Sequence, residues 1–242
     1  MAGPQPSPTV WARPRRERPA LTVERIVDEA VSLMDAEGID ALTMRALGAR
    51  LGAGATSMYR HVANREELLE LAVDRAYAEI RVPRCEQPEH WREAVSGYAR
   101  SMRSMVARHG WIAAALPGVG LYYLGPNVLR LSESLNQVFE VAGFPAAEID
   151  MAITAVLGYA VGMCVAESAW LTKVGRSGKS EQECLAELQP VIERALADHP
   201  RIAQLRAARG EVDIRAVRDA KFNYGLDRML DGLRSRPIGG AA

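Results

Sequence analysis

The sequence predicts an all-α protein. Aromatic residues make up only 6% of the 242 residues, while alanine, leucine and arginine are abundant, so helix propensity exceeds strand propensity nearly everywhere. Apolar residues recur at helical spacing through most of the chain, and glycine, proline and capping residues delimit these stretches. A hydrophobic content of 48% is sufficient for a buried core.

Charge and cysteine usage restrict the class of protein. The formal net charge is zero, so nucleic-acid binding would have to rest on local features. The three cysteines are far apart and odd in number, as expected for free thiols in a reducing compartment. The N-terminal arginines are not followed by the apolar segment of a signal peptide. We therefore expect a cytoplasmic protein.

The most apolar stretch extends from Ile149 to Val165 and is interrupted by glycines. It is shorter than the ~20 residues that span a bilayer, so we expect a buried helix and no membrane association. Histidines and cysteines lack the spacing of metal ligands, and no Ser/His/Asp signature is present. We expect no catalytic residue, no metal and no cofactor.

Residues 1–20 are rich in proline and arginine and contain little that could pack into a core. They are expected to form a flexible basic arm. Two interpretations of this arm stay open: a solvated tail, or a segment that reaches DNA phosphates or the minor groove.

Four helices are predicted between residues 21 and 81. Thr22, Thr43 and Asn64 are suitable N-caps, and Glu67 completes a capping box with Asn64. Gly52 ends the second helix. With their capping residues, the helices are expected at 22–38, 43–52, 55–62 and 64–80.

The segment 82–88 contains two prolines and no periodicity, which indicates a domain boundary. We therefore assign one domain to residues 21–81 and a second, helical domain to residues 90–236. Helices of the second domain are expected at 91–108, 125–142, 145–170, 181–197 and 213–234. A break of the fourth of these at Pro190 is left open.

The second and third helices, joined by a glycine-containing turn, fit a helix-turn-helix, in which the second helix of the pair enters the major groove of DNA. The third helix offers hydroxyl, phenol, imidazole and guanidinium groups, and the small residues at its start permit close approach to base edges. Taken alone, these features fit a solvated helix equally well.

The residues around this turn resemble the DNA-binding signature of the TetR family of transcriptional regulators. The matching segments are LTMRAL at 42–47, LG at 51–52 and MYRHVANREELL at 58–69. The resemblance implies a three-helix, helix-turn-helix DNA-binding domain at the N-terminus. It also implies a helical C-terminal domain that dimerises and binds a ligand.

The resemblance also implies roles for individual residues. Arg45 matches a position that contacts a guanine, for which a guanidinium is well suited. Arg65 matches a phosphate-binding position at a helix start, where an anion is favoured. Further positions that contact bases or phosphates are Thr43, Thr56, Ser57, Tyr59, Arg60 and His61. Packing in the core is the alternative for the tyrosine, and a surface charge is the alternative for Arg60 and Arg65.

Beyond residue 91 the resemblance is weaker, and it is to the tetracycline-repressor branch. It rests on HGW at 109–111, LGPN at 124–127 and the helix predicted at 145–170. That helix is apolar almost all round, and Gly158 and Gly162 would let another helix approach closely. With the apolar stripe of 213–234, it predicts a twofold four-helix bundle and therefore a homodimer. Burial within one chain is the alternative.

A cluster of aromatic and methionine residues is expected to line an effector cavity, with core packing as the alternative. It consists of Tyr98, Met102, Met105, Trp111, Tyr122, Tyr123 and Phe139. Glu167 matches an acidic position near the metal site of the tetracycline repressor, but the drug-binding histidines there correspond to Tyr77 and an apolar residue near Leu116. Neither is a good ligand for Mg²⁺, so the unidentified effector is expected to be small and mainly apolar.

We therefore expect a ligand-released repressor that binds a palindromic double-stranded DNA operator as a homodimer. A helical interaction protein without DNA binding and an enzyme are the alternatives. The most enzyme-like segment is GRSGKS at 175–180, but position 173 is Lys and the segment follows a helix, unlike a phosphate-binding loop. A flexible loop with Ser180 as an N-cap, completed by Glu183, explains it better.

Overall fold

The computed structural model describes residues 20–119, 125–208 and 213–235. These residues form eleven α-helices and no strand, which confirms the all-α fold class. The helices are α1 (Val23–Glu37), α2 (Met44–Leu51), α3 (Ala55–Met58), α4 (Arg65–Tyr77), α5 (Trp91–Arg108), α6 (Ile112–Val119), α7 (Pro126–Val141), α8 (Ala146–Ser177), α9 (Glu181–Leu196), α10 (Pro200–Ala207) and α11 (Ile214–Ser235).

The predicted caps are present. The side chains of Thr22, Thr43 and Asn64 accept hydrogen bonds from backbone N–H groups within the first turns of α1, α2 and α4, at 3.3, 3.1 and 2.7 Å. Gly52 ends α2 in the left-handed conformation, with φ of 61°. These local signals fix where α1, α2 and α4 begin.

Several helix ends differ from the prediction. Helix α3 is only four residues long, and backbone N–H groups of His61 and Val62 close turns onto the Met58 carbonyl. Helix α8 continues to Ser177, so residues 175–177 are helical and do not belong to a flexible loop. Helix α9 passes through Pro190 without a break, because a proline far from the core can be accommodated at the cost of one backbone bond.

Helices α6 and α10 were not predicted. The sequence of α6 contains a Pro-Gly pair near its end, and α10 follows α9 after a short turn. Both are eight residues long, close to the length at which helical periodicity is no longer distinguishable from a loop.

The N-terminal helices pack around α1, which contacts α2 and α4. Ile26, Leu33 and Leu47 are fully buried there. Gly48 of α2 lies against the next segment of the chain, because a Cβ at this position would be 2.9 Å from the Ala53 carbonyl oxygen. This close approach determines how tightly the chain can turn between α2 and α3.

The C-terminal helices pack around α8, which contacts α5, α6, α7, α9 and α11. Trp91, Phe139 and Phe144 form an aromatic cluster with ring centroids 5.0–5.9 Å apart. Helix α11 crosses α8 where Tyr159 donates a hydrogen bond to the Phe222 carbonyl at 2.9 Å. Gly225 makes this crossing possible, since any Cβ there would collide with the Tyr159 ring.

One face of α8 is buried and the other is open. The open face of α8 is lined by Met151, Thr154, Ala155, Gly158, Gly162, Val165, Ala166 and Ala169, all exposed. The alternative of burial within one chain is therefore wrong for α8, and in a single chain the apolar stretch 149–165 is buried on one face only. Among the described residues, α8 is also the one helix that length and composition would allow to cross a bilayer, and 28% of its most apolar window is buried.

Candidate DNA-binding surface and effector region

Helices α2 and α3 share a polar surface built on a buried support. Met58 and Val62 are at most 1% exposed and pack inward. The opposite side carries the predicted DNA-contacting residues: Thr43, Arg45, Thr56, Ser57, Tyr59 and Arg60 are exposed and His61 is half-buried. Tyr59 is 53% exposed, so core packing does not explain this tyrosine.

The arginines of this region fall into two groups. Arg50 pairs with Glu29 at 2.5 Å and with Glu37 at 3.4 Å. Within the described part of the chain, Arg45 and Arg60 have no carboxylate partner. Their charges are therefore available for a ligand outside the chain, and an exposed guanidinium without a carboxylate partner, whether on α2 or in the turn after α3, suits phosphate or guanine.

Arg65 has a different environment from the one expected. Its Nε donates to the Leu42 carbonyl at 2.8 Å and its Nη2 donates to the Ile39 carbonyl at 3.0 Å. The half-buried side chain thus fastens the loop between α1 and α2 to the start of α4. No sequence pattern indicates this contact, because the two carbonyls are far from position 65 along the chain.

The predicted effector-binding residues lie in the core. Tyr98, Met102, Met105, Trp111 and Phe139 are at most 4% exposed. Tyr122 and Tyr123 lie outside the described residues. Burial of the five that are described fits both core packing and the lining of an enclosed cavity, so their role stays a prediction.

Three weakly polar groups from different helices meet near this core: Tyr77 of α4, Tyr98 of α5 and Cys164 of α8. Burial, assisted by Cys164, raises the pKa of Tyr77 to about 12. Burial and then the neighbouring Tyr77 and Cys164 raise the pKa of Tyr98 above its ordinary value. Burial likewise raises the pKa of the Cys164 thiol to about 11, so all three groups are neutral at physiological pH. Cys164 was missed from sequence because a lone cysteine in an apolar helix shows no pattern.

Two cavities are lined in part by residues of α8. One of about 290 Å³ is lined mainly by apolar residues of α8 and α11, including Met163, Trp170 and Phe222. The other, of about 230 Å³, is polar and includes Asp35 and Ser168. Neither is lined by the predicted effector residues.

Glu167 belongs to an ion-pair network between α5, α8 and α11. Its carboxylate accepts hydrogen bonds from Arg103 Nε at 2.7 Å and Nη2 at 3.0 Å, and Arg218 Nε lies 3.2 Å away. Arg103 also pairs with Asp219 at 2.8 Å. A carboxylate held by two guanidiniums has little capacity left for a metal ion. Among the described residues, no cluster of three or more potential metal ligands is found.

Two short helices joined by a tight glycine turn carry exposed polar residues and precede a larger helical domain. This arrangement is typical of a helix-turn-helix transcriptional regulator. Residues 26–72 match the family described as bacterial regulatory proteins, tetR family. Residues 83–236 match the tetracyclin repressor-like C-terminal domain. The chain belongs to the TetR family of transcriptional regulators.

Relatives with known names agree with this assignment. The chain is 32% identical to the HTH-type transcriptional repressor DrrR1 of Streptomyces coeruleorubidus, over 91% of this chain and 80% of that protein. It is 30% identical to the class A tetracycline repressor of transposon 1721 from Escherichia coli, over 88% and 90% of the two chains. These repressor names, with the ligand-bound structure described next, support a ligand-responsive transcriptional repressor.

The fold is also similar to that of ActR, a TetR family protein of Streptomyces coelicolor. Its crystal structure in complex with actinorhodin superposes with a TM-score of 0.75 at 28% identity, covering 91% of this chain and 99% of that chain.

Proposed function

We propose that the chain is a dimeric repressor that reads a palindromic operator through α2 and α3 and leaves it when a small, mainly apolar effector binds. The observation that supports operator binding best is the exposed polar surface of α2 and α3. On it, the guanidiniums of Arg45 and Arg60 face solvent unpaired, so their charges are free to meet phosphates and base edges.

The open face of α8 supports the dimer. It presents small and apolar residues over most of a long helix, and a Cβ added at Gly158 or Gly162 would have no atom within 4 Å. A second copy related by a twofold axis would bury this face in a four-helix bundle with α11. The same axis would place two recognition helices in successive major grooves and make the operator palindromic.

Helix α4 is suited to transmit effector binding. It begins beside the helix-turn-helix at Arg65, and its buried Asp74 accepts hydrogen bonds from Asn127 N at 3.0 Å and Nδ2 at 2.8 Å at the start of α7. Its Tyr77 also lies beside Tyr98 and Cys164 in the core. A ligand that displaces this end of α4 would change the spacing of the two recognition helices, provided that it binds the released state better.

An apolar, metal-free effector fits the surroundings of Tyr77 on α4, Tyr98 on α5 and Cys164 on α8. Tyr77 and Tyr98 offer neutral polar groups in otherwise apolar surroundings, as binding sites for organic molecules commonly do. Glu167 is held by Arg103 and Arg218 and so is not free to bind the Mg²⁺ of a metal–drug complex. ActR, a similar protein, is described in complex with actinorhodin.

Selection of bound fragments from a genomic DNA pool tests the proposed function. We expect a palindromic fragment with half-sites about one helical turn apart, bound with an affinity that falls steeply as salt rises. A scrambled fragment of the same length is the control. Equal affinity for the two fragments, or no salt dependence, would contradict operator binding.

The effector class is tested by adding ligands to the protein–operator complex. Tetracycline with Mg²⁺ should leave the complex intact, whereas organic compounds such as actinorhodin are candidates for release that persists in EDTA. Release by tetracycline that disappears on chelation of the metal would show that the effector class is wrong.

A further inference from the structure

His109, at the end of α5, lies between two carboxylates of the N-terminal helices. Its Nδ1 is 2.7 Å from Asp35 Oδ1 on α1, and its Nε2 is 3.1 Å from Glu79 Oε1 just beyond α4. The side chain is only 9% exposed. The imidazole therefore joins the last turn of α1 and the end of α4 to the C-terminal domain.

This arrangement needs the charged form of the ring. A neutral imidazole carries one N–H, so it can donate to one carboxylate only, and its other nitrogen directs a lone pair at the second carboxylate. An imidazolium donates to both. Loss of the proton therefore breaks one of the two contacts and replaces it with repulsion between a lone pair and an anion.

Each carboxylate has a second partner, so neither is left unpaired when the ring is neutral. Trp111 Nε1 donates to Asp35 Oδ1 at 2.7 Å, and Arg108 Nε donates to Glu79 Oε2 at 2.9 Å. Burial opposes ionisation of Glu79, but the hydrogen bonds from His109 and Arg108 outweigh it and lower the pKa of this carboxyl group.

Arg108, whose guanidinium pairs with the same Glu79 carboxylate, carries a charge that opposes the imidazolium. The adjacent polar cavity is lined by Asp35 and Arg108, and on its far side by Arg103 and Glu167, which pair with each other. From α8, Ser168 donates to the Gly110 carbonyl at 3.0 Å and holds the backbone beside the histidine. The two ring nitrogens of His109 face the carboxylates of Asp35 and Glu79.

We propose that His109 is a proton-dependent latch between the unit α1–α4 and the C-terminal domain. When protonated, the ring holds α1 and the end of α4 against α5. When neutral, it loses its hydrogen bond to one of them, which then stays attached to the C-terminal domain through Trp111 or Arg108 alone. The consequence for operator binding rests on the proposed function, since α1–α4 is the unit that would read DNA, but the latch itself is measurable without DNA.

Hydrogen exchange at pH 5.5 and pH 8.0, corrected for the intrinsic exchange rate, tests the latch in the full-length protein. Loss of one charge-assisted hydrogen bond predicts that protection of amides in α1 and α4 falls roughly tenfold at the higher pH, while protection in α8 changes less. In His109→Gln this pH dependence should disappear. His90→Gln, which alters an exposed histidine, should behave as the wild type.

Glu79→Gln provides an independent variant. A glutamine amide can donate to a neutral ring or accept from a charged one, so the contact no longer requires the proton and the pH dependence should again be lost. In the wild type, imidazole ¹⁵N signals of His109 should show two protonated nitrogens at pH 5.5 and lose one proton in step with the loss of protection. Unchanged pH dependence in either variant, or a titration of His109 out of step with exchange, would overturn the latch. A failed operator selection would instead overturn the proposed function alone.

Discussion

The unit α1–α4 and the helices α8–α11 differ in how completely one chain covers their apolar surface. In α1–α4 the large apolar residues are buried or half-buried except for Tyr59, which lies on the proposed DNA-binding surface. In α8–α10, Met151, Val191, Ile202 and Leu205 are 50–66% exposed. In the first region, one chain covers the apolar surface, and the residues proposed to contact DNA are left exposed. The second has an apolar surface that a second copy would cover.

Gly162→Glu tests this difference most strongly. In one chain, nothing lies within 4 Å of a Cβ at position 162, and glutamate is a better helix former than glycine, so the monomer should fold normally. In a dimer, the carboxylate would be buried against the second copy. We expect a monomer by analytical ultracentrifugation and a loss of operator affinity of at least about 100-fold, because one DNA-binding unit replaces two.

Gly175→Glu is the matched control, since it places the same side chain on α8, again with nothing within 4 Å, but outside the open face. This variant should remain dimeric. A dimeric Gly162→Glu protein would contradict the bundle.

Glu167→Ala tests the interior of the C-terminal region. Removal of this carboxylate takes away the partner that Arg103 and Arg218 share, both of which are less than one-fifth exposed, and leaves them with Asp219 and Glu181 respectively. Because each guanidinium keeps one carboxylate, we expect the free energy of unfolding to fall by about 2 kcal/mol, as measured by urea denaturation. Glu187→Ala removes an exposed ion pair with Lys179 and should have no measurable effect. Similar stability of the two variants would show that the network contributes little.

The two regions also differ in how far their structure could be predicted from sequence. In α1, α2 and α4, helix starts are fixed by side chains three residues from the amides they cap, so local patterns were sufficient. The end of α8 depends on burial of Val174, which is a property of the tertiary fold. The contacts of Arg65 with Leu42 and Ile39, and of His109 with Asp35 and Glu79, join distant parts of the chain. No spacing rule indicates them.

Arg45→Ala tests the proposed DNA-binding surface of the unit α1–α4. If Arg45 contacts a guanine, its loss should cost ~1–3 kcal/mol of operator affinity and relax the preference at one base pair of each half-site. Competition binding with single-base operator variants measures this. Arg50→Ala removes an arginine of the same helix that is already paired with Glu29 and Glu37, and it should leave sequence preference unchanged. An equal loss on all operator variants for Arg45→Ala would assign it to the DNA backbone.

Arg65→Lys is expected to have the smallest effect, and it separates two roles of this residue. Lysine keeps the positive charge that a phosphate contact requires, but its single ammonium group cannot reproduce the two guanidinium hydrogen bonds to Leu42 and Ile39. If the loop contact matters more, Arg65→Lys should lose about 1 kcal/mol of stability, and Arg65→Ala should lose a similar amount. Operator affinity of both variants should then fall together, on all sequences alike. If the phosphate contact matters more, Arg65→Lys should bind DNA like the wild type while Arg65→Ala binds weakly. Thermal denaturation and operator titration of the two variants decide between these outcomes, because charge and hydrogen-bond geometry change separately in them.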